Sequence, residues 1–368
     1  MATTDSTTTT QEPTTDAFTE RVFAALLGTQ EIHAVYLGDR LGYYRALDAS
    51  GPATSVELAA RTGTAERYTR EWLEHQAVCG YLTVDDVTAE PGERRFALPA
   101  AHAEVLTREL SLNNLAGMAR TICALGKQLD ALVEAFRTGG GVRWEQFGPD
   151  AREGQGAANR PLFLGPLTSE HLPALGDIDA ALRAGGRVAD VGCGVGWSAI
   201  GIASGYPQAT VDGFDIDGPS IELARRNAAE AGVDDRVRFH HADAGTVDPQ
   251  GGYALVCAFE CIHDMPDPVS VLVAMRSLVA GDGTVLVMDE RVAETFTAPG
   301  DEVERLMYGF SILCCLPDGL SHQPSVGTGT VMRPSTLEGY ARQAGFTGIE
   351  VLPLDNDFFR FYRLRTAA

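Results

Sequence analysis

The feature that most constrains this chain is a glycine-rich segment in its second half, Asp190-Val191-Gly192-Cys193-Gly194-Val195-Gly196. It ends an apolar run at 188–191 that has the length and composition of a short buried strand. Glycines allow a tight turn there and let the backbone approach a ligand closely. A helix that begins after the turn points free N–H groups at that ligand. The segment therefore predicts the nucleotide-binding turn of an α/β sheet.

The rest of the second half supports a sheet with helices on both faces. Strand-like and helix-like runs alternate beyond the turn, with strands at 210–215, 236–239, 254–259 and 283–288 and helices at 220–231 and 269–278. Such alternation predicts a parallel sheet that is covered on both sides. The final run, 358–364, is expected to be an antiparallel strand at one edge.

The first third of the chain has a different pattern. Apolar residues recur with helical spacing, and Thr54 with Glu57 has the form of a capping box. Strand-like runs at 81–84 and 95–98 then flank a polar turn with Pro91 and Gly92. Three helices followed by a two-stranded ribbon predict a winged helix.

These patterns divide the chain into four predicted regions. Residues 1–16 are rich in Thr and polar, which predicts a disordered tail. The winged helix is expected over 17–110, a helical linker over 111–180 and the α/β domain over 181–368.

The charge of the chain argues against nucleic acid and membranes as partners. The net charge is −21, from 50 acidic and 29 basic residues, and such a chain is repelled by phosphate and anionic lipid. Residues 1–110 hold 17 acidic residues and nine Arg, whereas specific DNA binders need a basic face. The winged helix is therefore expected to serve dimerisation. No apolar run reaches about 18 residues and no signal peptide is visible, so we expect a cytoplasmic location.

The seven cysteines predict no metal site. Cys314 and Cys315 are adjacent, and Cys257 and Cys261 have no His at ligand spacing. We interpret all seven as reduced thiols that pack in the protein interior.

The glycine segment differs from a dinucleotide site. The fingerprint G-x-G-x-x-G requires a third glycine where this chain has Trp197. An acid at Asp190, two residues before the first glycine, would sit poorly beside a pyrophosphate. It suits a ligand with an amino group, such as the methionine part of S-adenosylmethionine.

With these features, residues 187–245 resemble the core of the class I S-adenosylmethionine-dependent methyltransferases. The resemblance implies that Asp215, at the end of the second strand, holds the ribose, with Asp217 as the near alternative. It also implies that Asp243, after the third strand, binds the adenine amino group. The predicted cofactor-binding residues are Asp190, Gly192, Cys193, Gly194, Gly196, Asp215, Ile216, Asp243, Ala244 and Phe259.

The whole chain resembles the two-domain small-molecule methyltransferases, which have an N-terminal winged-helix dimerisation domain. The resemblance implies a Rossmann-like seven-stranded sheet, S-adenosyl-L-methionine as the cofactor, a small-molecule substrate from secondary metabolism, and a homodimer.

The resemblance also points to catalytic residues after the fourth strand. O-methyltransferases of this type carry a His-Asp pair there that includes the base, and His263 and Asp264 match it, although Met265 replaces the usual aromatic residue. An imidazole with a pKa near 6.5 can take the proton of an acceptor hydroxyl. Glu290, after the fifth strand, is expected to hold the imidazole. The alternative is catalysis by proximity alone.

Several alternatives remain open from the sequence. The apolar segment 307–333 predicts a substrate lid, or a surface that packs on the neighbouring domain. The enzyme could instead methylate nitrogen or carbon, or use the cofactor for chemistry other than methyl transfer. A winged-helix regulator is the option that the acidic charge disfavours.

Overall fold

A computed structural model describes residues 14–244 and 252–366 of the chain. The predicted disordered tail lies outside the described residues as far as residue 13. The chain divides into two compact units between Thr107 and Arg108. Within the two described ranges, no helix has both the length and the apolar character needed to cross a membrane.

The first unit contains the predicted helices and ribbon. Its helices are α1 Thr15–Arg40, α2 Tyr43–Ser50, α3 Ser55–Thr62, α4 Glu66–Val78 and α5 Ala100–Leu106, and its strands are β1 Thr83–Val84 and β2 Phe96–Ala97. The capping box at Thr54 and Glu57 is formed, and β1 and β2 pair antiparallel. The rings of Tyr43 and Tyr44 pack on Trp72 in the core. The winged-helix prediction is confirmed.

The second unit is built on one sheet of seven strands. The strands are β3 Arg187–Val191, β4 Thr210–Asp215, β5 Val237–His241, β6 Tyr253–Phe259, β7 Val279–Glu290, β8 Gly348–Val351 and β9 Phe359–Arg365. Their order in space is β5-β4-β3-β6-β7-β9-β8. The first five are parallel, and β9 runs antiparallel to both β7 and β8. The predicted Rossmann-like fold is confirmed.

One prediction about this sheet is wrong. The strand at 358–364 was expected at an edge, but β9 lies between β7 and β8, and β8 forms the edge. The reason is burial, because Phe361, Tyr362 and Leu364 of β9 are all buried. In β8, by contrast, only Gly348 is fully buried, which suits a short strand with one neighbour.

Helices cover both faces of the sheet. The helices of this unit are α6 Ala116–Gly126, α7 Leu129–Thr138, α8 Trp144–Leu164, α9 Leu172–Ala174, α10 Gly176–Arg183, α11 Trp197–Gly205, α12 Gly218–Ala231, α13 Pro268–Leu278, α14 Glu302–Phe310, α15 Leu316–Leu320 and α16 Pro334–Gln343. Side chains of α8, α10, α11 and α12 form the core on one face, and those of α13 and α16 form it on the other. The region expected to be a linker, 111–180, is helical and belongs to this unit.

Candidate active site

The sheet order creates a crevice at its carboxyl edge. Strand β3 has β4 on one side and β6 on the other, so the chain leaves β3 at the point where the strand order reverses. Ligands of open α/β sheets bind outside the strand ends at this point. A ligand would therefore lie beside the loops that follow β3, β4, β6 and β7.

The glycine turn after β3 is shaped by packing on two sides and is open on the third. Gly192, Gly194 and Gly196 all have positive φ, at +70°, +50° and +85°. A Cβ on Gly192 would lie 2.7 Å from the Cys261 Sγ, and one on Gly196 would lie 2.6 Å from a Phe239 ring carbon. Beside Gly194 there is open space. The turn therefore exposes backbone to a ligand at its middle glycine.

Asp215, at the end of β4, is tied to the glycine turn. One carboxylate oxygen accepts a hydrogen bond from the Gly194 N–H at 2.8 Å, and the other accepts one from the Asp217 N–H at 2.8 Å. Burial raises the pKa of Asp215. The alternative residue, Asp217, instead pairs with Arg152 at 2.7 Å and caps α12 through Ser220. The geometry therefore favours Asp215 over Asp217 as a ligand-facing acid.

Asp190 lies deeper than a direct ligand contact would require. It is 1% exposed, and its oxygens accept hydrogen bonds from the Ser198 hydroxyl at 2.5 Å and the Cys257 thiol at 3.7 Å. Burial raises its pKa to about 6. In this arrangement Asp190 joins β3 to the first turn of α11 and so fixes the glycine turn.

The other predicted cofactor residues are spread around the same edge. Ile216 is 62% exposed directly after Asp215, as a residue that packs on a base would be. Asp243 is exposed and Ala244 is buried after β5. Cys193 is buried within the glycine turn. Phe259 stacks on Phe163 of α8 with ring centroids 5.7 Å apart, so its ring belongs to the core.

His263 lies in a short 3-10 turn, Ile262–Asp264, that follows β6. It is 2% exposed. Its Nδ1 lies 3.0 and 3.1 Å from the two carboxylate oxygens of Asp289, and its Nε2 lies 3.2 Å from Asp264 Oδ1. Burial alone would lower the pKa of His263, but the negative charges of Asp264, Asp289 and Glu290 outweigh it and raise the pKa well above 6.5. The surrounding carboxylates therefore favour the protonated form of the imidazole.

The hydrogen-bond partner of His263 is a residue that the sequence analysis missed. Glu290 was expected to hold the imidazole, and its Oε2 lies 3.2 Å from Nδ1 but makes no hydrogen bond. Asp289 makes those bonds instead. Both carboxylates lie within 3.2 Å of Nδ1, so strand periodicity does not separate the two residues.

Glu260 is a second residue that the sequence did not single out. It follows β6 directly and has a φ of +55°, a value that residues other than glycine rarely adopt. Its Oε2 accepts hydrogen bonds from Asn159 at 3.2 Å and Gln155 at 3.4 Å, both on α8. Its Oε1 is buried and has no hydrogen-bond partner among the described residues. Burial, with the nearby charge of Glu290, raises the pKa of Glu260 to about 8.

The segment 307–333 packs against the turn that carries His263. The Gly329 N–H donates to the His263 carbonyl at 3.1 Å, and the Val326 N–H donates to the Pro266 carbonyl at 3.0 Å. Asp318 accepts a hydrogen bond from the Trp144 N–H at 2.7 Å. These contacts support the predicted lid position, since the segment borders the crevice, but a closing motion remains a prediction.

Two donor sets at this site are close enough to hold a metal ion. They are His263 with Asp289 and Glu290, and His263 with Asp264 and Cys315. Hydrogen bonding between His263 and Asp289 already balances part of the charge in the first set. That this enzyme uses no metal remains a prediction.

Comparison with known families places both units. A methyltransferase domain matches residues 182–315, and an Rv2258c-like winged HTH domain matches residues 33–108.

Among curated relatives, the 27-O-demethylrifamycin SV methyltransferase of Amycolatopsis mediterranei is 42% identical over 87 residues, which cover 23% of this chain and 32% of that protein. The ubiquinone biosynthesis O-methyltransferase of Aromatoleum aromaticum is 32% identical over 184 residues, which cover 49% of this chain and 73% of that protein. The match to the first relative thus spans about a third of its length.

Solved structures share the fold over almost the whole chain. The mitomycin 7-O-methyltransferase MmcR has a TM-score of 0.69 at 22% identity, covering 96% of this chain and 98% of its own. PigF, solved with S-adenosylhomocysteine, has a TM-score of 0.71 at 18% identity, covering 96% of this chain and 100% of its own.

The fold, the glycine turn and these relatives define the class, and the chain belongs to the S-adenosylmethionine-dependent methyltransferases. Within that class it joins the methyltransferase domain to an N-terminal winged helix. The enzyme is an S-adenosylmethionine-dependent methyltransferase, and the prediction of its cofactor is confirmed.

The residues present fit that cofactor. Open space lies beside Gly194, and β4 ends in an acid where a ribose would be held. After β6 there is a buried carboxylate oxygen that has no hydrogen-bond partner among the described residues. Glycine backbone, a ribose acceptor and an acceptor for a cationic group are the three elements that S-adenosylmethionine requires.

Proposed function

We propose that this enzyme transfers a methyl group from S-adenosylmethionine to a hydroxyl group of a small molecule of secondary metabolism. The observation that carries the proposal is the pair of His263 and Asp289, buried at the carboxyl edge of the sheet. The relatives named above support it, because two of them are O-methyltransferases by name.

His263 acts as the general base in this proposal. Asp289 accepts from Nδ1–H, which fixes the ring and leaves Nε2 to face the acceptor hydroxyl. Asp264, the predicted partner in the His-Asp pair, is partly exposed, and its carboxylate would move aside for the acceptor. The bound cofactor supplies an electrophilic methyl group on a positively charged sulfur. Residues that align the acceptor oxygen with that methyl group provide the proximity that the displacement needs.

The cofactor contacts follow the predicted set, with one change of role. Asp215 holds the ribose, Ile216 packs on the adenine and Asp243 receives its amino group. Asp190 acts through Ser198 by fixing the glycine turn, and does not itself touch the amino group.

Product analysis tests the function. The enzyme is incubated with S-adenosylmethionine carrying a labelled methyl group and with a phenol, an aniline of the same shape and an enolisable ketone. We expect label on the phenol oxygen. Label on nitrogen or carbon alone would replace O-methylation by the corresponding alternative. Cofactor binding without label on any of the three would favour a non-methylating role.

We also infer that the first unit forms a homodimer. Helix α1 carries exposed apolar residues at helical spacing, namely Phe18, Val22, Phe23, Leu26 and Leu27, and contiguous exposed apolar surface marks an interaction site. Light scattering at micromolar concentration should give the dimer mass, and Leu26→Glu should give the monomer. Val78→Glu, at an isolated exposed position on α4, is the matched control. A monomeric wild type would exclude this assembly.

A further inference from the structure

Three parts of the second unit meet beside the glycine turn. A Cβ on Gly156 of α8 would lie 2.4 Å from Val195 Cγ2, so α8 packs directly on the turn. From the other side, the Cys261 thiol donates to the Val191 carbonyl at 3.2 Å. Glu260 is connected to both contacts. It directly precedes Cys261, and it accepts hydrogen bonds from Gln155 and Asn159 of α8, which lie on either side of Gly156.

One oxygen of the Glu260 carboxylate accepts hydrogen bonds, and the other accepts none among the described residues. Asn159 and Gln155 donate to Oε2 alone. The backbone N–H of Glu260 donates to the Met288 carbonyl at 2.8 Å, and this bond anchors the left-handed conformation. Such strain in a residue without special backbone freedom is typical of ligand-binding sites. Oε1 is buried and has no hydrogen-bond partner among the described residues.

A buried carboxylate oxygen without a partner is costly unless a donor arrives with the ligand. Asp190, the acid that the sequence analysis assigned to an amino group, already accepts from Ser198 and Cys257. Among the described residues, Glu260, Glu290 and Asp264 each have a buried oxygen without a hydrogen bond at this end of the sheet. Glu290 and Asp264 lie 3.2 Å from the His263 imidazole, whereas Glu260 hydrogen-bonds to α8.

We propose that Glu260 binds the α-ammonium group of the cofactor's methionine part through Oε1. The amides of Asn159 and Gln155 orient the carboxylate, and the adjacent Cys261 packs on the glycine turn. This assignment depends on the cofactor and not on the acceptor, so it stands or falls independently of O-methylation.

Calorimetric titration with two ligands tests the assignment. The ligands are S-adenosylhomocysteine and its deaminated analogue, in which hydrogen replaces the amino group. Glu260→Gln should weaken S-adenosylhomocysteine about 10- to 100-fold, as expected for a charge-assisted hydrogen bond, and should change the analogue less than threefold. Glu222→Gln, an exposed glutamate on α12, is the matched control and should change neither. Equal weakening of both ligands, or of neither, would overturn the assignment.

The analogue also reports on folding, because a variant that binds it normally has an intact site. If Glu260→Gln does not fold, proton release by the wild type gives a second readout. Glu290→Gln then shows whether the proton comes from Glu290, whose pKa is also raised to about 8; the release should persist in that variant if Glu260 is the source. The pKa of Glu260 is raised to about 8, so an ammonium that ionises it at pH 7 should release most of one proton. Titration in buffers of different ionisation enthalpy should show that release with S-adenosylhomocysteine and none with the analogue. Equal proton release, or equal wild-type affinity for the two ligands, would contradict the proposal.

Discussion

The two halves of the crevice differ in how completely the oxygens of their carboxylates are hydrogen-bonded. Around the glycine turn, Asp190, Asp215 and Asp217 each accept hydrogen bonds from their own chain through both oxygens. Around the ends of β6 and β7, Glu260 and Glu290 each have one buried oxygen that forms no hydrogen bond with any residue the structure describes. In the first half, every one of these carboxylate oxygens has a hydrogen bond without a ligand, whereas in the second half two do not.

This difference separates a cofactor half around the glycine turn from a reaction half that holds His263. The reaction half also contains Glu260, which we propose binds the cofactor's ammonium group. Satisfied carboxylates make the cofactor half rigid, which lowers the entropy cost of binding. Burial raises the pKa values of Glu260 and Glu290 to about 8, and the charge of Glu290 adds to the shift of Glu260. The charges of Asp264, Asp289 and Glu290 raise the pKa of His263, so the reaction half can respond to an incoming cation or proton acceptor. Perturbed pKa values of this kind cluster at catalytic positions.

The largest expected effect is on the reaction half. His263→Ala would leave the buried Asp289 without its cation, which destabilises a fold by roughly 3–5 kcal/mol, so His263→Gln is the better variant because its amide can still donate to Asp289. Single-turnover methyl transfer should fall about 10²- to 10⁴-fold, the range for loss of a positioned base. Cofactor affinity should be nearly unchanged. A rate within tenfold of wild type would assign the reaction to proximity alone.

The corresponding change in the cofactor half should act on affinity instead. Asp215→Ala removes the acceptor of the Gly194 and Asp217 N–H groups and the proposed ribose ligand. Cofactor binding should weaken by on the order of 2–3 kcal/mol, or about 30- to 150-fold. Asp235→Ala, at an exposed position before β5, is the control. An unchanged dissociation constant for Asp215→Ala would show that this acid does not bind the ribose.

The pH dependence of kcat/KM tests the reaction half separately from the cofactor half. An ordinary imidazole would give an acid limb near pH 6.5, but the pKa of His263 is raised well above that value by the surrounding carboxylates. Since the base must be deprotonated, the kcat/KM for an aliphatic alcohol acceptor should rise with pH through neutrality. Asp289→Asn removes one negative charge beside the imidazole, so its limb should lie at lower pH. A profile that is flat from pH 6 to 9 in both proteins would contradict a histidine base.

The sequence predicted the parts of this enzyme that depend on local pattern. The glycine turn, the alternation of strands and helices and the acid at the end of β4 follow from periodicity and spacing along the chain. The partners of charged groups did not follow in the same way. Asp289 and Glu290 are adjacent at the end of β7 and both lie beside the His263 imidazole, so which of them forms the hydrogen bonds depends on side-chain geometry that the sequence pattern does not contain. The sequence around Glu260 predicts only the end of a strand. Its left-handed backbone conformation is imposed by contacts with α8 and β7, and the local pattern does not contain those contacts.

The smallest effect concerns Asp190 and decides whether it acts through the turn. Ser198→Ala removes the hydroxyl that donates to Asp190 and should destabilise the fold by about 1–2 kcal/mol near pH 7.5. Ser204→Ala is the matched control, because Ser204 lies on the same helix and donates to the Ile200 carbonyl, and its loss should destabilise the fold less.

Burial raises the pKa of Asp190 to about 6, so the carboxylate is charged at pH 7.5 and mostly neutral at pH 5. Because hydrogen bonds to a charged acceptor are the stronger ones, the loss in Ser198→Ala should shrink at pH 5, while that in Ser204→Ala should stay constant. Denaturant titrations of both variants at the two pH values measure this, and cofactor affinity should fall less than fivefold. A large loss of affinity with no change in stability would mean that Asp190 touches the cofactor after all.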